Sequence, residues 1–301
     1  MNPVKIIECV PNFSEGRDPE KIKAIAAAVS AVSGVSLLDY SWDYDHHRSV
    51  ITFLGGPEYV YEAALAAGGK ALELIDLRCH DGVHPRIGAV DVVPFIPLEG
   101  AKMSDAVACA HRFGRELAAR HGTPVFFYGE AAKNEISREL PKIRSGGLPG
   151  LIKRLRAGGC QPDEGPNVCL DRSGAVAVGA RMPLIAYNIN LDSSDVGLAK
   201  RIAGTIRESN GGLPCVRAIG VLLKSRNLAQ VSMNLTNFQV TSIRKVFESV
   251  RKEANLAGVD ILESELIGLA PRAALDEETA SYVHLNGFSA QRILETHLPL
   301  T

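Results

Sequence analysis

The sequence predicts an α+β protein of two ferredoxin-like subdomains, each with the element order βαββαβ. Short apolar runs bounded by Gly, Pro and polar residues, typical of strands, alternate with stretches whose apolar residues have helical spacing. This order occurs twice in 301 residues, a length sufficient for two domains. We expect subdomains at residues 1–174 and 175–301, each with a four-stranded mixed sheet. The sheets should face each other, with helices outside and a ligand site between them.

The opening third of the chain predicts the first βαββαβ unit. Asp18 is expected to cap the first helix, because Pro19 follows at the first helical position, and Gly34 is expected to end it. The predicted elements are a strand at 5–10, a helix from Pro19, strands at 35–38 and 49–54, a helix from Pro57 to Ile75 and a strand at 87–96.

The remainder predicts an intervening region and a second unit. A helix from Ser104, a strand at 124–128 and a basic helical region at 131–159 come first, and residues 158–174 lack periodicity, as expected of a linker or a binding loop. The second unit is predicted from strands at 184–190, 218–223, 228–234 and 260–266, with helices at about 193–208 and 243–254.

Composition narrows the function classes. A formal charge of −1 gives no reason to expect a nucleic-acid partner. The six cysteines are scattered without a C-x-x-C pair, as expected of reduced cytosolic thiols. The N-terminus lacks an apolar signal core, and no run approaches the roughly 18 apolar residues of a membrane span. We therefore expect a cytoplasmic globular protein without membrane association.

The most informative stretch is 76–97, which combines two histidines, two arginines and three aspartates with a short apolar run. Polar groups on a loop that enters a buried strand are typical of a functional site. Pro85 restricts the backbone of His84 to extended conformations, so we expect the imidazole on a stiff turn. His84 is the first candidate for a catalytic residue.

Several separated blocks resemble glutamate formimidoyltransferase. They are ECVPNFSEG at 8–16, RSVITF at 48–53, HDGVHPRIGAVDVVPFIP at 80–97, YGEAA at 128–132, AYNINL at 186–191 and NLAQVS at 227–232. The resemblance covers nearly the whole chain. In animals this domain is fused to a cyclodeaminase, and since this chain ends at Thr301, we expect the transferase part alone.

The resemblance implies transfer of a formimino group between N-formimino-glutamate and N5 of tetrahydrofolate by a cytoplasmic homodimer. The second histidine of the family's H-x-G-x-H-P-R motif, its catalytic acid/base, falls on His84, and the first falls on His80. Amine attack on an amidine carbon requires one nitrogen to lose a proton and another to gain one. A histidine that titrates near pH 6.5 can do both, and no metal is expected.

The family's folate-contacting segment falls on ten residues: Gly165, Pro166, Asn167, Val168, Cys169, Leu170, Asp171, Arg172, Ser173 and Gly174. Its glycines and proline match the family, but Val168, Leu170 and Arg172 stand where the animal enzymes have aromatics. A plain linker is the alternative. The family's aspartate near the catalytic histidine aligns with Ser41, so we expect Asp39, Asp43 or Asp45 to orient His84.

Further substrate contacts are predicted from residue chemistry. Arg48 and Arg86 suit substrate carboxylates as planar donors. Asn12, Asn188 and Asn190 could bind the pterin edge, because an amide offers both a donor and an acceptor. Together with His80, these complete the substrate-binding candidates.

Three alternative functions remain open. A formyltransferase acting on N-formyl-glutamate is the closest, since an amide and an amidine differ by one oxygen-for-nitrogen exchange. A folate-binding protein without turnover is the second. The third is a metal-dependent hydrolase, with ligands among His46, His47, His80, His84, Asp45 and Asp81. Gly82 and Pro85 oppose the helix that would place His80 and His84 on one face.

Overall fold

The computed structural model describes residues 4–298, and the chain passes from one compact unit to another between Arg181 and Met182. Each unit has its own sheet and its own hydrophobic core. Among residues 4–298, no helix combines the length and apolar character needed to cross a membrane.

The first unit contains a seven-stranded mixed sheet. Its strands are β1 (Ile7–Cys9), β2 (Asn12–Phe13), β3 (Val35–Asp43), β4 (Arg48–Gly55), β5 (Val90–Pro97), β6 (Val125–Gly129) and β7 (Val176–Ala180). Across the sheet the order is β3, β4, β1 with β2, β5, β7 and β6. β1 and β2 share one position, because Pro11 between them lacks the N–H needed to continue the ladder.

The expectation of four strands in the first half is wrong, because β7 pairs in parallel with both β5 and β6. The chain between β5 and β7 is long enough for the crossovers that parallel pairing requires. Since Val176–Ala180 lies inside the first sheet, the first compact unit continues to Arg181, seven residues beyond the expected boundary at Gly174.

The helices of the first unit cover the two faces of its sheet unequally. They are α1 (Pro19–Ser30), α2 (Pro57–Leu74), α3 (Met103–His121), α4 (Leu140–Ile143) and α5 (Gly147–Arg156). α1 to α3 pack against one face and form the main core. α4 and α5 pack on the opposite face against residues of β5, β6 and β7, including Val92, Phe126 and Tyr128. The predicted start of α1 is confirmed: the Asp18 side chain accepts hydrogen bonds from two helical N–H groups.

The face opposite α1–α3, which we call the second face, carries polar residues of β1 and β2. Side chains alternate along a strand, so Glu8 and Asn12 lie on the second face while Ile7, Cys9 and Phe13 enter the main core. β3 continues five residues beyond the predicted end at 38 because it pairs with β4 as far as Arg48.

The second unit has a four-stranded sheet in the order β11, β8, β10, β9. Its elements are β8 (Ile185–Leu191), α6 (Val196–Ile206), β9 (Val216–Leu223), β10 (Leu228–Leu235), α7 (Ile243–Leu256), β11 (Ile261–Ile267) and α8 (Glu277–Tyr282). The predicted order of strands and helices is confirmed through β11. The expectation of a mixed sheet is wrong here: every pairing is antiparallel, because β8 lies beside β10 and β11 and not beside β9.

Candidate active site

The loop between α2 and β5 places His84 on a turn that is fixed at several points. The Gly82 Cα is so close to the strand-connecting turn that an added Cβ would lie 2.3 Å from the His46 carbonyl oxygen. The Val83 N–H donates to the Asp45 carbonyl. A glycine is therefore required at position 82 for the turn to approach this closely.

His80 supports this loop. Its Nε2 lies 2.8 Å from the His47 carbonyl oxygen, and its ring stacks on that of His47 with centroids 3.8 Å apart. Burial, Arg86 and His47 lower the pKa of His80 to about 4. His80 is therefore neutral at neutral pH and is held by contacts within the protein.

Arg86 binds the loop's own backbone. Its guanidinium donates to the carbonyl oxygens of Gly82 at 2.9 Å, His84 at 3.1 Å and His80 at 3.3 Å. The Arg86 N–H groups that we expected to bind a substrate carboxylate therefore donate to backbone carbonyls. These contacts favour a role for Arg86 in holding the loop.

A buried ion-pair network lies beside His84. Asp91 is fully buried, and its Oδ2 accepts hydrogen bonds from Arg48 at 2.6 Å and Arg144 at 2.8 Å. Its Oδ1 accepts from the Ile87 N–H at 2.8 Å. Burial raises the pKa of Asp91, but the charges of Arg144 and Arg48 outweigh this effect and lower the pKa. One carboxylate thus serves two guanidinium groups, and the surplus positive charge favours an anionic ligand.

Asn12 orients one of these arginines. Its Oδ1 accepts a hydrogen bond from Arg48 Nε at 3.0 Å, and its Nδ2 donates to the Val10 carbonyl. The structure therefore brings Asn12, Arg48 and His84 together around Asp91 and Arg144.

His84 is half-buried beside the guanidinium groups of Arg48 and Arg144. Its Nδ1 lies 2.9 Å from the Pro85 carbonyl oxygen and 3.3 Å from Arg144 Nη2, which also donates to that carbonyl. Burial, Arg48, Arg144 and His46 hold the pKa of His84 well below its usual value. The imidazole is therefore neutral at neutral pH. In the tautomer that carries its proton on Nδ1, this N–H donates to the Pro85 carbonyl and the Nε2 lone pair is free to accept a proton.

A buried glutamate anchors the strand-connecting turn behind this loop. Glu15 Oε1 accepts from three consecutive N–H groups and lies 3.2 Å from His47 Nε2. Burial raises the pKa of Glu15, but the hydrogen bond with His47 and those from backbone N–H groups outweigh it and lower the pKa to about 2. His47 has a positive φ of 49°, a conformation that this network fixes.

Of the acidic residues of β3, Asp43 lies next to the same turn. Ser41 pairs with Val50 in β4, and Asp39 and Asp43 pair with Thr52 and Arg48. The Asp43 carboxylate accepts a hydrogen bond from the His46 N–H at 2.6 Å, and the His46 ring lies 5.6 Å from that of His84. Asp43 thus positions a neighbour of His84 through the backbone.

The segment 165–174 holds both ends of the His84 loop. Gly174 forms an isolated β-bridge with Gly88. The Arg172 carbonyl oxygen accepts a hydrogen bond from the Leu77 N–H. Leu170, Arg172 and Ser173 also line a cavity of about 940 Å³ together with residues of α2 and α3. His84 is not among the residues that line this cavity, so the cavity and the histidine network are separate features.

The second unit contains Asn188 and Asn190, the remaining predicted residues. Both are buried on β8. Asn190 Nδ2 donates to Glu263 at 3.0 Å and Glu265 at 2.8 Å, and its Oδ1 accepts from Gln230. Asn190 is therefore part of a polar network on the sheet.

The histidines are arranged by stacking and backbone contacts. Within residues 4–298, no group of three or more His, Cys, Asp or Glu side chains is placed to hold a metal ion. His47 and His80, two of the ligands considered for a metal, instead stack on each other.

Comparison with known proteins identifies the family. A family model of the formiminotransferase domain, N-terminal subdomain, matches residues 6–181, and a second model of the formiminotransferase domain matches residues 186–295. The chain is 40% identical to glutamate formimidoyltransferase of Streptococcus pyogenes serotype M1, over 98% of this chain and 99% of that protein. The chain belongs to the formiminotransferase family.

Other formiminotransferase relatives differ in length. The glutamate formimidoyltransferase of Thermoplasma acidophilum is 42% identical over 97% of each chain. The formimidoyltransferase-cyclodeaminase of Gallus gallus is 44% identical over 93% of this chain but only 52% of that protein.

The sequence alone did not identify three residues of this candidate site. Asp91 carried a signal, because it is a charged residue inside a predicted buried strand. Glu15 lies in the block at 8–16, which indicated only the resemblance to the family. Arg144 lies 60 positions after His84 in a basic segment, and no local pattern distinguishes it from its neighbours.

Proposed function

We propose that this protein transfers a formimino group from N-formimino-glutamate to N5 of tetrahydrofolate, with His84 as the acid/base. The observation that carries this proposal is a neutral, half-buried imidazole beside two arginines that share one carboxylate. The family membership and the near full-length relatives support the same reaction.

The proposed chemistry needs one proton acceptor that later becomes a donor. N5 of tetrahydrofolate attacks the amidine carbon, and His84 Nε2 accepts the proton that N5 loses. The resulting imidazolium donates that proton to the glutamate nitrogen as the bond between carbon and this nitrogen breaks. The products are 5-formiminotetrahydrofolate and glutamate, and His84 returns to its neutral form.

Arg48 and Arg144 suit this cycle. In the free protein their charges oppose protonation of His84. A substrate carboxylate bound near them would neutralise that charge and raise the pKa of His84. The histidine would then gain the proton more readily when both substrates are bound.

We propose that segment 165–174 contacts the folate. Its backbone contacts with the two ends of the His84 loop support this placement. The strand orders of the two sheets further support a ferredoxin-like core in each unit, extended in the first by β6 and β7.

We also infer that the protein is a cytoplasmic homodimer. Tyr40 and Trp42 support association, because they are 39% and 44% exposed and stack on β3 at the edge of the first sheet. Light scattering of the purified protein should give twice the mass of the chain. A monomer across micromolar concentrations would contradict the homodimer.

An assay of purified protein with tetrahydrofolate tests the proposed reaction. N-formimino-glutamate and N-formyl-glutamate are compared as donors, and mass spectrometry identifies the modified folate. We expect 5-formiminotetrahydrofolate to form faster than the formyl product. Consumption of neither donor would contradict the proposal, and a preference for the formyl donor would replace it with formyl transfer.

A further inference from the structure

Arg154 of α5 is a charged residue that the acid/base mechanism does not use. Its side chain reaches the short connection between α4 and α5, where Nη2 donates to the Ile143 carbonyl at 2.6 Å and Nη1 donates to the Ser145 carbonyl. These two carbonyls lie on either side of Arg144, the arginine that contacts His84. One guanidinium group therefore holds the backbone both before and after Arg144.

The position of the Arg144 guanidinium depends on that backbone, because its polar contacts are concentrated on one terminal nitrogen. Its contacts with His84 Nδ1 at 3.3 Å, with the Pro85 carbonyl and with Asp91 at 2.8 Å all use Nη2. Among residues 4–298, its buried Nε has no hydrogen-bond partner. Several rotatable bonds separate Nη2 from the Cα atom, so the contacts are kept only if the Cα atom stays in place.

The connection that carries Arg144 has little stability of its own. α4 has four residues, about one helical turn, and an isolated turn is unstable because helix nucleation is unfavourable. Gly146 and Gly147 follow with positive φ angles of 74° and 61°, a conformation that favours glycine. The last carbonyls of a helix lack intrahelical partners, and Arg154 supplies a donor for one of them. Arg154 thus joins the connection to α5, whose apolar side packs on the sheet.

The position of Arg144 matters because its charge acts on His84. The charged and titratable groups around the imidazole are Arg48 of β4, His46 of the turn between β3 and β4, Arg144, Asp91 of β5 and, on the same loop, Arg86. The charges of Arg48 and Arg144 oppose protonation of His84. Displacement of Arg144 would remove one of these two charges, and the pKa of His84 would rise.

We propose that Arg154 is a positioning residue, which keeps the Arg144 guanidinium beside His84 by binding the two carbonyls that flank Arg144. This inference rests on the proposed function, because the position of Arg144 matters for catalysis only if His84 is the acid/base. Arg154 acts through Arg144 and takes no part in the proton transfer.

Titration of His84 by NMR in the free protein tests the inference without any turnover. The imidazole C–H signal of His84 is the one that is missing from His84→Gln. Arg154→Met keeps an unbranched side chain but removes the guanidinium, and we expect it to raise the pKa of His84 by roughly 1 pH unit, the lower end of the effect of one nearby charge. Arg156→Met makes the same change at an exposed position of α5 and should leave that pKa unchanged. The fall in kcat/KM on acidification should move to higher pH in Arg154→Met but not in Arg156→Met.

A double variant shows whether Arg154 acts through Arg144. Arg144→Met should raise the pKa of His84 at least as much as Arg154→Met does, because it removes the cation itself. On the Arg144→Met background, Arg154→Met should cause no further rise. An equal rise on both backgrounds would show that Arg154 acts on His84 by another route, and this result would overturn the inference.

Gly150→Ala displaces one of the two carbonyls without altering either arginine. An alanine Cβ at this position would lie 2.7 Å from the Ser145 carbonyl oxygen, so that carbonyl must shift. Alanine favours a helix more than glycine does, so the substitution does not weaken α5 through helix propensity. We expect the pKa of His84 to rise in this variant too. The result decides the inference by itself if Arg154→Met does not fold.

Failure of this inference and failure of the proposed function give different results. If the wild type transfers the formimino group but the pKa of His84 is unchanged in folded Arg154→Met or Gly150→Ala, the positioning role alone is overturned. A lower thermal midpoint with an unchanged pKa would show that Arg154 only stabilises the fold. A wild type that transfers no formimino group would overturn the proposed function, and with it the catalytic role of Arg154, even where the pKa rises as expected.

Discussion

Replacing His84 with Gln or Ala tests the proposed chemistry most directly. Gln can still accept hydrogen bonds near the Pro85 turn, but it cannot take up and return a proton. We expect turnover to fall by roughly 10²- to 10⁴-fold, the usual contribution of a positioned acid/base. Tetrahydrofolate affinity should change little, because a proton shuttle acts mainly in the transition state.

The pH dependence of the wild type gives a second, independent readout. A neutral His84 is the active form for accepting the first proton, and its pKa in the free protein lies well below the usual 6.5. The ratio kcat/KM should therefore be flat near pH 7 and should fall as acidification protonates His84. This fall in kcat/KM should occur at lower pH than an unperturbed histidine would give. The fall should disappear in the His84 variants.

His80 is the matched control on the same loop. His80→Gln removes a ring that stacks on His47 and contacts its carbonyl, so it should affect loop stability more than chemistry. We expect a smaller loss of turnover than in His84→Gln, measured by steady-state kinetics beside the thermal midpoint. Near-normal turnover in His84→Gln, with loss of turnover in His80→Gln, would show that the assignment within the motif is wrong. If neither substitution lowers turnover, the acid/base hypothesis fails.

Three further changes test the surrounding structure. Asp91→Asn leaves two guanidinium groups without their shared carboxylate, so it should lower the free energy of unfolding by about 3 to 5 kcal/mol. Urea denaturation measures this change, and a loss below about 1 kcal/mol would contradict the reasoning. Glu15 has its pKa lowered from 4.5 to about 2 in the folded state, so its stabilising contribution is present above pH 4.5 and is lost as pH falls toward 2. Glu15→Gln should flatten the dependence of unfolding free energy on pH in that window, and an unchanged slope would argue against the hydrogen bonds described. Insertion of two glycines after Asn167 should weaken tetrahydrofolate binding while the thermal midpoint stays unchanged, and unchanged affinity would favour a simple linker.

Sequence patterns predicted local structure well wherever the signal was local. The Asp18 cap and Pro19 specify the start of α1 by their own chemistry, and the structure has that cap. The strand pair β9 and β10 and the helix α7 also follow from apolar spacing. Extended pairing was harder to predict: β3 continues through polar residues because β4 supplies its hydrogen bonds, and no feature of 39–43 alone indicates this.

The sequence by itself determined the order of strands and helices, the family motifs and the loop that carries His84, because each depends on residues close together in the chain. The tertiary structure alone decided that β7 completes the first sheet, since a parallel pairing is formed with strands distant in sequence. It also decided the charge state of His84. Arg48 and Arg144 are 36 and 60 positions away from His84, and only folding brings both guanidinium groups to the buried Asp91 beside the imidazole. Burial and these summed charges act through space, so the lowered pKa of His84 could not be read from the motif.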